Sequence, residues 1–98
     1  MSEGSPAVTL LSERHAVIVA GREVALTSTQ FRLLKVLVTH PWRIFSRREL
    51  LPLAMNTWAT ERTVDAHVKD LRRKLERHGD LISTVRGRGY CWCPAPAK

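Results

Sequence analysis

Glu61-Arg62-Thr63-Val64-Asp65-Ala66-His67-Val68-Lys69-Asp70-Leu71-Arg72-Arg73-Lys74-Leu75 carries the clearest period in the chain. Val64, Val68, Leu71 and Leu75 recur at i, i+4, i+7 and i+11, which gathers them on one face of a helix. At roughly 100° per residue, Arg62, Ala66, Lys69 and Arg73 fall on the opposite face. One face packs and the other is mostly cationic. The helix is expected to start near Thr60 and run to about His78, with Gly79 as its C-terminal cap. Asp65 to Lys69 and Asp70 to Lys74 have i,i+4 spacing, so a solvated face laced with ion pairs is the plainest reading.

The flanking segments argue for more than a solvated face. Upstream, Ser46-Arg47-Arg48-Glu49 is an S-x-x-E capping box, opening a short helix in which Leu50, Leu51 and Ala54 turn inward and Pro52 enforces brevity or a bend. Before it, Thr27-Ser28-Thr29-Gln30 is a T-x-x-Q box that opens a helix buried along Phe31, Leu34, Leu37 and Val38 and closed by Pro41 after His40. The first 26 residues alternate β-like runs (Val8 to Leu11, His15 to Val19, Glu23 to Leu26) with turn signals, as a small antiparallel sheet does. Downstream, Leu81 to Val85 and Tyr90 to Cys93 flank Arg86-Gly87-Arg88-Gly89, a hairpin with two arginines at its tip. A short helix followed by a longer amphipathic one forms a helix-turn-helix, whose second helix fits the DNA major groove. The hairpin cations are placed to enter a neighbouring minor groove.

Composition sets the outer bounds. The 98 residues are 44% hydrophobic and 26% charged, values of one globular domain. A chain of this size buries about 60% of its unfolded surface, too little for an elaborate catalytic cleft. We expect a domain over residues 8–93, with flexible ends at 1–7 and 94–98. No apolar run is long enough to span a membrane, and the first residues lack the pattern of a secretory signal. The net charge of +7 and pI near 10.5 favour a polyanionic partner. His15, His40, His67 and His78 lie on different elements without H-E-x-x-H, C-x-x-C or P-loop spacing, so neither an enzyme nor a cofactor site is expected. Cys91 and Cys93 are one residue apart, a poor geometry for a disulfide, and two thiols alone cannot complete a zinc site. Structural or incidental thiols in a reducing compartment are expected.

These pieces, in this order and spacing from about residue 8 to 93, resemble the OmpR/PhoB-type winged helix. The resemblance implies an α+β winged helix-turn-helix with a four-stranded N-terminal antiparallel sheet, three helices and a C-terminal β-hairpin wing. It further implies the DNA-binding output domain of a cytoplasmic bacterial transcriptional regulator, usually joined to a phosphorylated receiver domain that is absent from this chain. Arg62, His67, Lys69 and Arg72 match positions used on phosphates. Thr63, Ala66, Asp70 and Arg73 match positions on or beside the groove-facing surface, and Thr84, Arg86 and Arg88 match the wing. Tyr90 fits either a wing anchor or a phosphate contact, and His67 either a core-edge residue or a phosphate donor.

Two departures from the family pattern bear on specificity. Asp70 stands where several members carry a base-reading arginine; an acid there repels phosphate but accepts a hydrogen bond from cytosine N4. Met55 stands where a tryptophan is common. In the family the loop at 55–59 can touch RNA polymerase; packing of Trp58 against the bundle is the favoured use here, with a polymerase or DNA contact as the alternative. Tandem binding of two copies to direct repeats is also implied. A winged helix used for protein contacts alone is the remaining alternative.

Overall fold

The computed structural model describes residues 3–5, 8–55 and 60–94. Strands β1 (Glu3–Ser5), β2 (Val8–Leu11), β3 (Ala16–Val19) and β4 (Arg22–Ala25) pair in sequence order into an antiparallel sheet. β1 pairs Gly4 with Thr9, so regular structure begins before residue 8, where the sequence reading had set the domain boundary. Polar and small residues hid it: Glu3-Gly4-Ser5 has no strand period, and its partner β2 supplies the order. The rest of the expected flexible segments, 1–2, 6–7 and 95–98, lies outside the described residues.

Helix α1 (Ser28–Thr39) starts at the expected box: the Gln30 amide donates to Thr27 Oγ1 at 3.1 Å, and the Thr27 amide donates to Gln30 Oε1 at 3.1 Å. A two-residue strand β5 (Ile44–Phe45) follows, then α2 (Arg47–Ala54), with the Glu49 amide donating to Ser46 Oγ and the Ser46 amide to Glu49 Oε1. Those bonds to Ser46, with Arg43 nearby, hold the Glu49 carboxyl below its usual range. α2 is brief, as Pro52 requires. Helix α3 (Glu61–Leu75) is followed by a 3-10 turn (Glu76–Leu81) and the hairpin β6 (Ile82–Val85) and β7 (Gly89–Trp92). β5 pairs with β7, giving a second sheet in the order β5-β7-β6.

One core joins both sheets to the helices: Val8, Leu10, Val17 and Val19 meet Phe31, Leu34 and Leu37 of α1 and the stripe of α3, while Phe45 and Trp92 come from the second sheet. The expected stripe Val64, Val68, Leu71 and Leu75 is fully buried.

α3 ends three residues earlier than its periodicity suggested. Glu76 leaves the helical region at φ 54°, and Gly79 lies inside the following turn instead of capping the helix. Gly79 is needed for another reason: a Cβ there would sit 2.5 Å from the Arg72 carbonyl oxygen. The close approach tucks the turn under the helix and sends the chain into β6.

Candidate nucleic-acid interface

α3 starts on a box that sequence reasoning missed, because its third residue is Thr63 and not Glu or Gln. The Thr63 amide donates to Thr60 Oγ1 at 3.4 Å, and the Thr60 amide donates to Thr63 Oγ1 at 3.3 Å. Thr63 is thereby tied to the helix start. Arg62, Ala66, Lys69 and Arg73 are all exposed, as the wheel predicted, and so is Asp70. Asp70 lies 3.9 Å from Arg73, a loose pair between exposed groups. His67 is half-buried between the apolar stripe and this face.

The expected i,i+4 pairs do not form, because each of their members except Lys69 has another partner. Asp65 accepts the Tyr90 hydroxyl and pairs with Arg47 Nε at 2.9 Å, Asp70 faces Arg73, and Lys74 reaches Gln30 Oε1 at 2.7 Å. Asp65 thus ties α3 to β7 and to the first residue of α2. Burial, and secondarily the bond to Asp65, pushes the Tyr90 phenol above its usual range. Tyr90 is in this structure an anchor of the wing.

Arg72 is also drawn into the framework. Its Nε donates to the Ile82 carbonyl at 3.0 Å, its Nη2 to that carbonyl and to Thr84 Oγ1 at 2.7 Å, and its guanidinium lies 5.7 Å from the Tyr90 ring centroid. Among the described residues, Arg62, Lys69, Arg86 and Arg88 make no ion pair or side-chain hydrogen bond.

The wing tip is a tight loop closed by the Arg88 amide on the Val85 carbonyl at 2.9 Å, with Gly87 at φ 76°. At its base Gly89, at φ 142°, lies so close to β5 that a Cβ would collide with the Phe45 carbonyl. This contact brings the start of α2 against the wing. Between them lies a cleft of about 320 Å³ lined by Ser46, Arg47, Arg48, Thr84, Arg86 and Arg88 among others. Thr84, Arg86 and Arg88 therefore meet Arg48, an exposed cation that sequence reasoning did not select. No local period marks Arg48; the pairing of β5 with β7 puts it there.

The thiols of Cys91 and Cys93 are free and their sulfurs lie 3.2 Å apart. Burial, followed by the neighbouring Cys93, pushes the Cys91 thiol up to about 11. A thiol held protonated in this way is a weak nucleophile. Among the described residues, no three His, Cys, Asp or Glu side chains converge to hold a metal, and no helix is long and apolar enough to cross a membrane.

Residues 21–92 match the family model described as "Transcriptional regulatory protein, C terminal". The phosphate regulon transcriptional regulatory protein PhoB of Rhizobium meliloti (strain 1021) is 45% identical over 87 residues, covering 85% of this chain and 38% of that protein. The transcriptional regulatory protein BaeR of Escherichia coli O6:H1 is 43% identical over 77 residues, covering 74% of this chain and 32% of its own length. The chain thus spans about a third of the length of these relatives. Among solved structures, the DNA-binding domain of the response regulator AdeR, in complex with an intercistronic region, superposes with a TM-score of 0.84 at 33% identity. It covers 93% of this chain and 98% of that one. The C-terminal DNA-binding domain of RstA from Klebsiella pneumoniae gives 0.78 at 30% identity, over 99% and 93%. A half-buried helix-turn-helix, a wing pinned by Gly89 and a match over most of the chain agree: it belongs to the transcriptional regulatory protein C-terminal family, the OmpR/PhoB-type winged helix.

Proposed function

We propose that this chain is the sequence-selective, duplex-DNA-binding output domain of a cytoplasmic bacterial transcriptional regulator. α3 enters the major groove and the wing reaches the adjacent minor groove. The observation that carries this reading is the division among its cations. Arg47 and Arg72 are bound into the framework, while Arg62, Lys69, Arg86 and Arg88 are left free on α3 and the wing. Free cations on a protruding helix face and a protruding loop suit a phosphate backbone.

In this reading Arg62 and Lys69 contact phosphates, as does His67 from the edge of the helix face. Arg73, with Ala66 and Asp70 beside it, faces base edges. Asp70, loosely beside Arg73, favours a cytosine partner over a phosphate. Thr63 and Thr84 border the contact through the helix start and the wing. Arg86 and Arg88 follow the minor groove, with Arg48 added from α2. Arg72 acts as a strut that sets the angle between α3 and the wing.

Two copies then bind direct repeats about 10 to 11 base pairs apart, on one side of the duplex. The 55–59 loop is the contact to polymerase, and a regulatory domain elsewhere in the protein governs the output. Residues 56–59, Trp58 among them, lie outside the described residues.

Selection from a random duplex pool, followed by titration of the winning sequence against salt, tests the reading. With about five phosphates neutralised, log affinity should fall against log salt with a slope near −4.5. A slope near zero, or a pool that yields no preferred sequence, would reject it in favour of a protein-docking winged helix.

A further inference from the structure

A second surface, lined by none of the residues assigned to DNA, lies beside the turn that carries Trp42. His40-Pro41-Trp42-Arg43 is a turn closed by the Arg43 amide on the His40 carbonyl at 3.2 Å, with proline second and a positive φ of 69° third. That pattern is a type II turn, whose third position favours glycine. A bulky aromatic there is strained, and a residue so placed is worth examining for a role outside folding. Burial offers no compensation: Trp42 is 59% exposed, and Leu53 of α2 is 51% exposed, the two large apolar side chains that stand out in this way among the described residues.

His40 and Arg43, the two ends of the turn, both line a groove of about 310 Å³ between α1 and α2. Val36, Phe45 and Leu53 give it an apolar lining, and Arg32, Lys35 and Arg43 also border it. No acidic residue lines the groove. Arg43 stacks 4.5 Å from the Phe45 ring centroid and pairs with Glu49 at 3.4 Å, both partners being about half exposed. An exposed pair of that kind is weak and yields to a competing carboxylate.

We propose that this groove, whose lining residues His40 and Arg43 bracket Trp42 in the turn, docks an acidic amphipathic segment of a protein partner. Apolar side chains of the segment would lie over Val36 and Leu53 and against the Trp42 indole, and its carboxylates would meet Arg32, Lys35 and Arg43. An exposed aromatic anchor beside a cationic rim is the arrangement that gives such grooves both affinity and choice of partner. The inference is independent of the DNA reading.

The probe is a synthetic helical peptide of about 18 residues, with leucines at i, i+3, i+4 and i+7 and glutamates elsewhere. It is titrated into isotope-labelled protein and followed by amide and indole NMR shifts. Shifts should concentrate at Val36, Trp42 and Leu53, with a dissociation constant below about 100 μM. Trp42→Gly with Leu53→Gln should weaken binding at least tenfold. Because glycine suits φ 69°, that variant should keep its fold and its DNA affinity, while Lys69→Ala should leave peptide binding unchanged. Equal binding of the same peptide with lysine for glutamate would overturn the proposal. So would shifts confined to α3 and the wing, no shifts up to 1 mM peptide, or a preference for phosphatidylglycerol vesicles over the peptide.

Discussion

The two sheets use the same materials to opposite ends. Each contains a β-hairpin with glycine at its turn and arginine nearby. In the first sheet the arginines are answered: Arg14 meets Glu23 at 2.9 Å across the hairpin, and Arg22 meets Glu76 at 3.2 Å. In the second sheet Arg86 and Arg88 pair with no carboxylate among the described residues, although Glu61 lines the same cleft, and Asp65, which anchors Tyr90 of β7, is already shared by Tyr90 and Arg47. Net charge therefore says little about where a polyanion binds. What matters is which cations the fold leaves unanswered: among the described residues Arg62, Lys69, Arg86 and Arg88 gather on α3 and the wing with Arg48 beside them, and Arg32 and Arg77 lie elsewhere.

The hairpins also differ in how they are held. The first turns through Ala20 and Gly21, both at positive φ, in open space. The second is clamped where Gly89 passes over the Phe45 carbonyl. Gly89→Ala should therefore give the larger loss of the two hairpin glycines, about 2 to 4 kcal/mol from a backbone collision at a strained φ. Gly21→Ala, with no neighbour within 4 Å of the added Cβ, should cost only about 1 kcal/mol for its φ. Urea unfolding measures both. Equal losses would remove the distinction between a clamped wing and a free hairpin.

Most local chemistry is legible in the sequence, the Thr60–Thr63 box excepted, and long-range partnership is not. The boxes at Thr27 and Ser46, the stripe of α3 and the arginine-tipped hairpin were all recoverable, because each depends on residues within a few positions of one another. Asp65 reads as a partner of Lys69 because i,i+4 spacing sets side chains side by side on a helix, whereas its actual partners are 18 and 25 residues away. Gly79 resembled a cap and is instead a contact point under Arg72. β5, at two residues, carries no period at all, yet it is the element that brings Arg48 to the wing.

The second sheet should also respond to alkali where the first does not, since β7 carries Cys91. Its thiol is raised by burial from 9.0 to about 11, so the folded state holds its proton more tightly than the unfolded chain. That contribution is fully present below pH 9 and is lost as pH rises through 11. With about 1.4 kcal/mol per unit, it amounts to roughly 2 to 3 kcal/mol at most. Tyr90, also raised, adds a loss of the same sign as pH rises above 10. Urea midpoints at pH 8 and pH 10.5 should fall further in the native protein than in Cys91→Ala. Parallel curves for the two proteins would show that Cys91 is not the group involved.

The smallest effects test the comparison most directly, because they separate free cations from answered ones. Arg88→Ala should lower the salt slope of DNA binding by about 0.9, the share of one phosphate, and leave stability almost untouched. Arg86→Ala should do the same if both wing arginines follow the backbone. Arg14→Ala removes an equal charge from the other sheet and should not alter the slope, because Arg14 already faces Glu23. Its cost belongs to folding instead, about 0.2 to 1 kcal/mol for an exposed pair, which a double-mutant cycle with Glu23→Ala isolates. If Arg14→Ala lowered the salt slope as much as Arg88→Ala, the DNA would be sensing total charge, and the pairing seen in the first sheet would have no part in directing it to the second.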